Sequence, residues 1–364
     1  MSRRPSTRAG DGEAAPESDR FHNAPHPRDA TELFGHGAAE QELLSAYRSG
    51  RLPSAWLIGG KEGIGKATLA WRFAKFILAH GDPRLPAVTR ATDLSVDPNN
   101  PAVHRIQSQS HTDVTVLRRA YDPKGKRHYT EIRIDDVRRV IDMFHHASGE
   151  GGWRVAIVDS AEDLNGSSAN ALLKLIEEPP PRSLFLIVSH RPAQVLTTIR
   201  SRTRKLNLGE LAPEAIIETV NSLSGTFAET DQRRLSEAAR RSGGSVRDTL
   251  RLLSGDSLTL IEAVDGLLGH LPTVDWRRVH GLADKLTGRE ATEEFEAMIS
   301  AIFDWIDARV RQGAPEGARL APLAEVWDKI ALSARETMAL NLDRRTFILN
   351  AFTDLSTAVQ AART

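Results

Sequence analysis

Ala55-Trp56-Leu57-Ile58-Gly59-Gly60-Lys61-Glu62-Gly63-Ile64-Gly65-Lys66-Ala67-Thr68 is the stretch on which the fold turns. Four apolar residues, a glycine-rich turn, and then Leu69, Ala70, Phe73, Ala74, Ile77 and Leu78 at helical spacing read as strand, loop and helix. Gly60 to Lys66 has the G-x-x-x-x-G-K spacing of a phosphate loop, and the chemistry needs each part of it. Glycines let consecutive backbone N–H groups curl around anionic oxygens, the lysine reaches the outer phosphates, and the following helix N-terminus adds positive potential. With 26 glycines in 364 residues and lysine rarer still, the spacing alone arises by chance in roughly one such chain in twenty. The strand before it and the helix after it set it apart from an ordinary glycine turn. Gly60, Gly63, Ile64, Gly65, Lys66, Ala67 and Thr68 are therefore the candidate nucleotide-binding residues.

The loop departs from a working ATPase at its end. A hydroxyl directly after the lysine holds Mg²⁺ in such loops, and here that position is Ala67. Thr68 comes one residue late, and one helical residue turns a side chain by about 100°. The second catalytic part is a carboxylate pair at the end of an apolar strand. Ile157-Val158-Asp159-Ser160 supplies Asp159 as a candidate site residue, with Ser160 where a water-activating glutamate would stand. Glu162 and Asp163 read as solvated charges at a helix start. ATP or ADP could occupy the loop, yet the expected Mg²⁺ site is deficient and hydrolysis by this chain is not expected.

Further out, Arg154–Val158 and Leu184–Val188 have the continuous apolar character of buried parallel strands, and order also resumes at Asp113–Leu117. A helix of about Ser167–Glu178, stopped by Pro179-Pro180-Pro181, separates the two strong runs, and a further helix is predicted over Ile134–His146. Strands alternating with helices give an α/β fold with a parallel, helix-covered sheet. From Thr31 the pattern reads as helix up to Tyr47, and residues 81–112 read as a long connection without periodicity. After Leu208 the pattern is helical to the end of the sequence. The expected divisions are a flexible tail over 1–25, a nucleotide-binding domain over 26–208, a small helical lid over 209–255 and an all-helical domain over 256–364.

Composition excludes several classes. Apolar residues make up 40% and charged residues 26%, an ordinary globular balance. No apolar run is long enough to span a membrane, which suggests a cytoplasmic protein. Cysteine is absent, so neither disulfides nor a thiolate zinc site can form. Lys plus Arg equals Asp plus Glu at 48 each, so any contact with DNA should be local or shared with partners. His145-His146 and the other histidines lack metal-ligand spacing, and no metal site is expected. Trp276, Trp305 and Trp327 lie in apolar helical stretches and read as core.

Asn165-Gly-Ser-Ser-Ala-Asn-Ala-Leu-Leu-Lys-Leu-Ile-Glu-Glu-Pro-Pro180 closely resembles the segment after the Walker B strand in the bacterial DNA polymerase III clamp-loader family of AAA+ proteins. Ser189-His190-Arg191-Pro192 looks like that family's sensor 1 region, Ser201-Arg202-Thr203 like its Ser-Arg-Cys motif, and Gly244-Ser245-Val246-Arg247-Asp248 like its sensor 2. The resemblance covers roughly residues 25–255. It implies an AAA+ domain with a parallel sheet, a helical lid and a C-terminal helical collar for oligomerisation. It also implies motor (gamma/tau) and delta subunits as partners, with the sliding clamp and primer-template DNA reached through the complex. Arg202 would act as an arginine finger in a neighbour's ATP site, and Arg247 would contact nucleotide. An exposed loop arginine and a solvated helix charge are the plain alternatives for the two. Motor subunits of the family have an intact Gly-Lys-Thr loop and Asp-Glu strand end; this sequence departs at both, which favours a non-hydrolysing stator over an active motor ATPase or a regulator outside replication. Many members carry a four-cysteine zinc module after the P-loop helix. Residues 81–112 contain no cysteine, so no zinc is expected.

Overall fold

Five parallel strands build the first half of the molecule, because the apolar runs of the sequence are long enough to be buried on both faces. The computed structural model describes residues 16–21, 24–145, 152–224, 227, 230–288, 291–312 and 321–362. The chain divides into two compact units, residues 1–250 and 251–364.

In the first unit the elements run α1 (Gly37–Arg48), β1 (Ala55–Gly59), α2 (Lys66–His80), α3 (Pro86–Thr89), α4 (Pro101–Gln107), β2 (Val114–Leu117), β3 (Tyr121–Asp122), β4 (Arg127–His128) and α5 (Ile134–His145). They continue with β5 (Arg154–Val158), α6 (Gly166–Glu177), β6 (Ser183–Ser189), α7 (Thr197–Arg202), β7 (Arg204–Asn207), α8 (Pro213–Ser222), α9 (Gln232–Arg241) and α10 (Val246–Leu253), whose last residues fall past the division. The sheet order is β2-β5-β6-β1-β7, with β3 and β4 forming a separate antiparallel hairpin. Because strand side chains alternate between faces, Trp56, Ile58, Val155, Ile157, Leu184 and Leu186 pack with α1 and α2. Their neighbours Leu57, Ala156, Val158, Phe185 and Ile187 pack with α5 and α6 on the other face. Phe144 and Phe185 stack there at 4.8 Å between ring centres. Asn165 caps α6, its Oδ1 accepting the Ser168 backbone N–H at 2.9 Å.

The second unit is all helical: α11 (Ser257–Gly269), α12 (Trp276–Leu286), α13 (Thr292–Gln312), α14 (Ala321–Ala339) and α15 (Arg344–Ala361). One apolar cluster, including Val264, Leu268, Phe295, Ile302, Ile348 and Phe352, fills it.

Several sequence expectations are corrected. The helix predicted from Thr31 begins at Gly37, because Gly35 takes φ +77° and breaks the pattern; residues 30–36 carry no helix. Residues 81–112 hold α3 and α4, which bury Val88, Val103 and Ile106. They replace periodicity with proline-started helices too short to show it. Residues 1–15 of the expected tail lie outside the described residues, but Glu17 and Asp19 are placed: Glu17 pairs with Arg28 at 2.7 Å and Asp19 with Arg118 at 2.6 Å. Trp276 and Trp327 are 42% and 40% exposed and are not core. Trp327 instead tilts against Phe303 at 5.2 Å. His146 lies outside the described residues.

Candidate nucleotide site and arginine loop

β1 delivers its C-terminal end directly into the glycine loop, and β5 and β6 end beside it, so the tips of three parallel strands converge where ligands bind in open α/β sheets. The loop closes around Gly60 (φ +143°), Gly63 (φ +77°) and Gly65 (φ +101°), conformations that side chains other than glycine rarely adopt. A Cβ on Gly63 would lie 2.4 Å from Arg247 Cβ, so this glycine is fixed by close packing as well as by φ. Helix α10 reaches the loop here: the Val246 N–H donates to Gly63 O at 2.9 Å. Behind the loop, the His36 ring Nε2–H donates to Ile64 O at 2.6 Å. Burial, and then the Lys66 charge, hold His36 below its usual pKa and keep it neutral.

Lys66, the first residue of α2, is 3% exposed. Its ammonium donates to Gly60 O at 2.7 Å and to Lys61 O, so it lies within its own loop. Burial lowers its pKa to about 8, an effect opposed by Asp159. Asp159, at the tip of β5, is pushed up to about 7 by burial first and by the Asp19 charge second, with Lys66 pulling the other way. A cavity of about 500 Å³ joins these groups. Gly63, Ile64, Gly65, Lys66, Ala67 and Thr68 line it, as do Asp159 and Arg247; Gly60 supports the loop from outside. Sequence and structure therefore bring these candidates together.

The residues fit phosphate. The loop offers glycine N–H groups, a buried lysine and the start of a fifteen-residue helix. They do not fit Mg²⁺: Ala67 has no hydroxyl, and among the described residues no group of three or more His, Cys, Asp or Glu could hold a metal ion. Glu162 is a correction to the sequence reading. It is half-buried, not solvated: its Oε1 accepts from the Ser189 hydroxyl and from the Arg191 N–H at 2.7 Å. Burial raises its pKa, but these two donors outweigh that and lower it. Asp163 likewise pairs with Arg119 at 3.2 Å, though burial leaves its pKa raised. Both carboxylates near the Ser160 position are thus engaged. Arg247, at the start of α10, pairs with Glu62 at 2.6 Å, and its guanidinium lies 5.3 Å from the Phe21 ring centre.

Arg202 lies apart from the cavity. It ends α7, its side chain is 43% exposed, and it pairs with Glu177 at the end of α6 at 2.6 Å. Its guanidinium also donates to Thr198 O at 3.3 Å and to the Ser201 hydroxyl at 3.2 Å.

Residues 35–212, the span holding this loop and these strands, match the family described as DNA polymerase III, delta subunit. Over that span the chain is similar to DNA polymerase III clamp-loader subunits. Among curated relatives, the DNA polymerase III subunit gamma/tau of Mycobacterium bovis is 29% identical over 296 residues, 78% of this chain and 47% of that protein. The Escherichia coli DNA polymerase III subunit delta' is 29% identical over 237 residues, 65% of each chain. The chain thus spans about half the length of the gamma/tau relative it matches. A crystal structure of a DNA polymerase III gamma subunit-related protein from Thermotoga maritima aligns with 88% of this chain and 99% of its own, at 16% identity and a TM-score of 0.38.

The sequence did not reveal His36, Asp19 or Glu162 as parts of the site. His36 bonds the loop at Ile64 O, Asp19 lines the cavity and Glu162 bonds Ser189 and Arg191, each across many residues of chain, and no local spacing signals such contacts.

Proposed function

We propose that this chain is a delta-prime-type stator of the bacterial DNA polymerase III clamp loader. It assembles in the cytoplasm with motor (gamma/tau) and delta subunits, presents Arg202 to a neighbouring motor subunit's ATP, and helps load the sliding clamp onto primer-template DNA. Its own P-loop takes ATP or ADP without hydrolysing it. The observation that carries this reading is the coincidence of Ala67 with Ser160, in a site where Lys66 bonds its own loop and Glu162 is bonded to Ser189. A γ-phosphate transfer needs a coordinated metal and a group to orient water, and neither is provided here. Exposed Arg202, held by a surface ion pair, supports the second half of the reading. A guanidinium placed on a transferring phosphoryl group accelerates transfer by about 10³–10⁵. The C-terminal helical unit would serve as the collar.

The alternative is an active gamma/tau-like motor, favoured only by the identity to gamma/tau being as high as to delta'. Steady-state ATPase of the isolated chain separates the two. The stator reading expects turnover no higher than that of Lys66→Ala; robust turnover abolished by that substitution would establish the motor.

A further inference from the structure

We propose that Asp19 sets which nucleotide the P-loop prefers: its carboxylate walls the terminal-phosphate side of the cavity, so the site binds a nucleoside diphosphate in preference to a nucleoside triphosphate. The inference rests on the cavity being a nucleotide site, as in the reading above, and adds to it a residue and a ligand class.

The placement comes from topology. Arg118 directly follows β2, and β2 lies beside β5, whose tip carries Asp159. In P-loop proteins the strand-end carboxylate faces the β- and γ-phosphates through their metal, so the β2–β5 side marks the outer end of the phosphate chain. Arg118 fixes Asp19 on that side: its guanidinium donates to Asp19 Oδ1 at 2.6 Å. Asp19 lines the cavity, and its charge acts on Asp159.

The carboxylate is built in. Its side chain is 1% exposed. The His26 Nδ1 accepts the Arg28 N–H at 3.0 Å, which leaves the ring proton on Nε2, 3.1 Å from Asp19 Oδ2. Glu17 ties the same segment down, accepting from Arg118 at 2.6 Å and from both terminal nitrogens of Arg28 at 2.7 Å. Swinging Asp19 aside would strip a buried carboxylate of both partners, which is strongly unfavourable.

The charge inventory points the same way. Among the described residues the cavity is lined by the carboxylates of Asp19, Asp29, Glu32, Glu62, Asp159 and Asp163. Its permanent cations are Lys66, Arg119 and Arg247. Arg119 is paired with Asp163 and Arg247 with Glu62, so Lys66, bonded to the carbonyls of its own loop, is the remaining cation beside the phosphate position. A diphosphate can be met by Lys66 and the loop N–H groups. The further charge of a triphosphate would arrive beside Asp19 with no metal ligand at Ala67 to offset it.

The test is titration of the full chain with fluorescent ADP and ATP analogues in Mg²⁺ and again in EDTA. Wild type should bind the ADP analogue at least about tenfold more tightly, and Asp19→Asn should tighten the ATP analogue by about tenfold and bring the ratio near one. Deletion of residues 1–21 removes Asp19 with its segment and should give the same shift, which covers the case in which Asp19→Asn fails to fold. Glu17→Gln removes a charge from the same network without lining the cavity, and should leave the ratio unchanged. An unchanged ratio in Asp19→Asn and in the deletion, or an equal shift in Glu17→Gln, overturns the proposal while leaving the stator reading intact. Failure of wild type and both Asp19 variants to bind either analogue overturns it together with the nucleotide assignment. Activity of the Arg202 loop is read separately, in the assembled complex.

Discussion

Lys66 and Arg202 are both cations of the same α/β unit, and their surroundings are opposite. Lys66 is 3% exposed, donates to the carbonyls of its own loop, and is ringed by carboxylates that are themselves engaged. The Arg202 side chain is 43% exposed and held mainly by one ion pair to Glu177, itself 37% exposed. Exposed pairs contribute about 0–1 kcal/mol, so a partner surface could displace Glu177 at little cost, whereas freeing Lys66 means reorganising a buried loop. A fold can thus hold one cation inside a buried loop while another faces outward, available to a partner surface.

The contrast can be attacked from the buried side first, where the effects should be largest. Gly63→Ala forces a Cβ to 2.4 Å from Arg247 Cβ at φ +77°, so equilibrium denaturation should show a loss of about 2–4 kcal/mol. A loss under about 0.5 kcal/mol would mean that lid and loop are not locked together.

Asp159→Asn should have a smaller effect that depends on pH. Asp159 has its folded-state pKa raised from 3.8 to about 7, so the folded protein holds the extra proton between those values. The stability this gives is fully present below about pH 4 and lost as pH rises through 7. Asparagine keeps the neutral form throughout. The variant's advantage over wild type should grow from pH 4 to 7 and level off above at roughly 1–3 kcal/mol, measured by unfolding at a series of pH values. A flat difference would place the carboxylate in a less buried setting.

On the exposed side, Glu177→Gln should change stability by less than about 0.5 kcal/mol in the same denaturation assay. A loss above about 2 kcal/mol would show that Arg202 is a structural residue and not an available one.

Much of this was legible in the sequence. Gly60 to Lys66 announces itself by spacing, β5 and β6 by unbroken apolar runs, and Ala67 and Ser160 by being the wrong residue at a defined position. What escaped is non-local. Asp19 looks like part of a polar tail until Arg118, 99 residues away, pairs with it. Glu162 looks like a helix-start charge until the Ser189 hydroxyl, 27 residues on, donates to it. Trp276 and Trp327 misled because apolar periodicity reports which helix face is apolar, not whether this unit alone covers it. The helices of residues 81–112 escaped because four- and seven-residue segments are too short to carry a period.

On the stator reading the chain acts through Arg202 on a neighbour and not through Lys66 on its own nucleotide. Reconstituting the clamp loader with its motor and delta subunits and measuring DNA-stimulated ATPase tests it most directly. Arg202→Ala should lower the rate by about 10²-fold or more with assembly intact, and Lys66→Ala should leave it within about twofold. A complex indifferent to Arg202→Ala but disabled by Lys66→Ala would contradict the account.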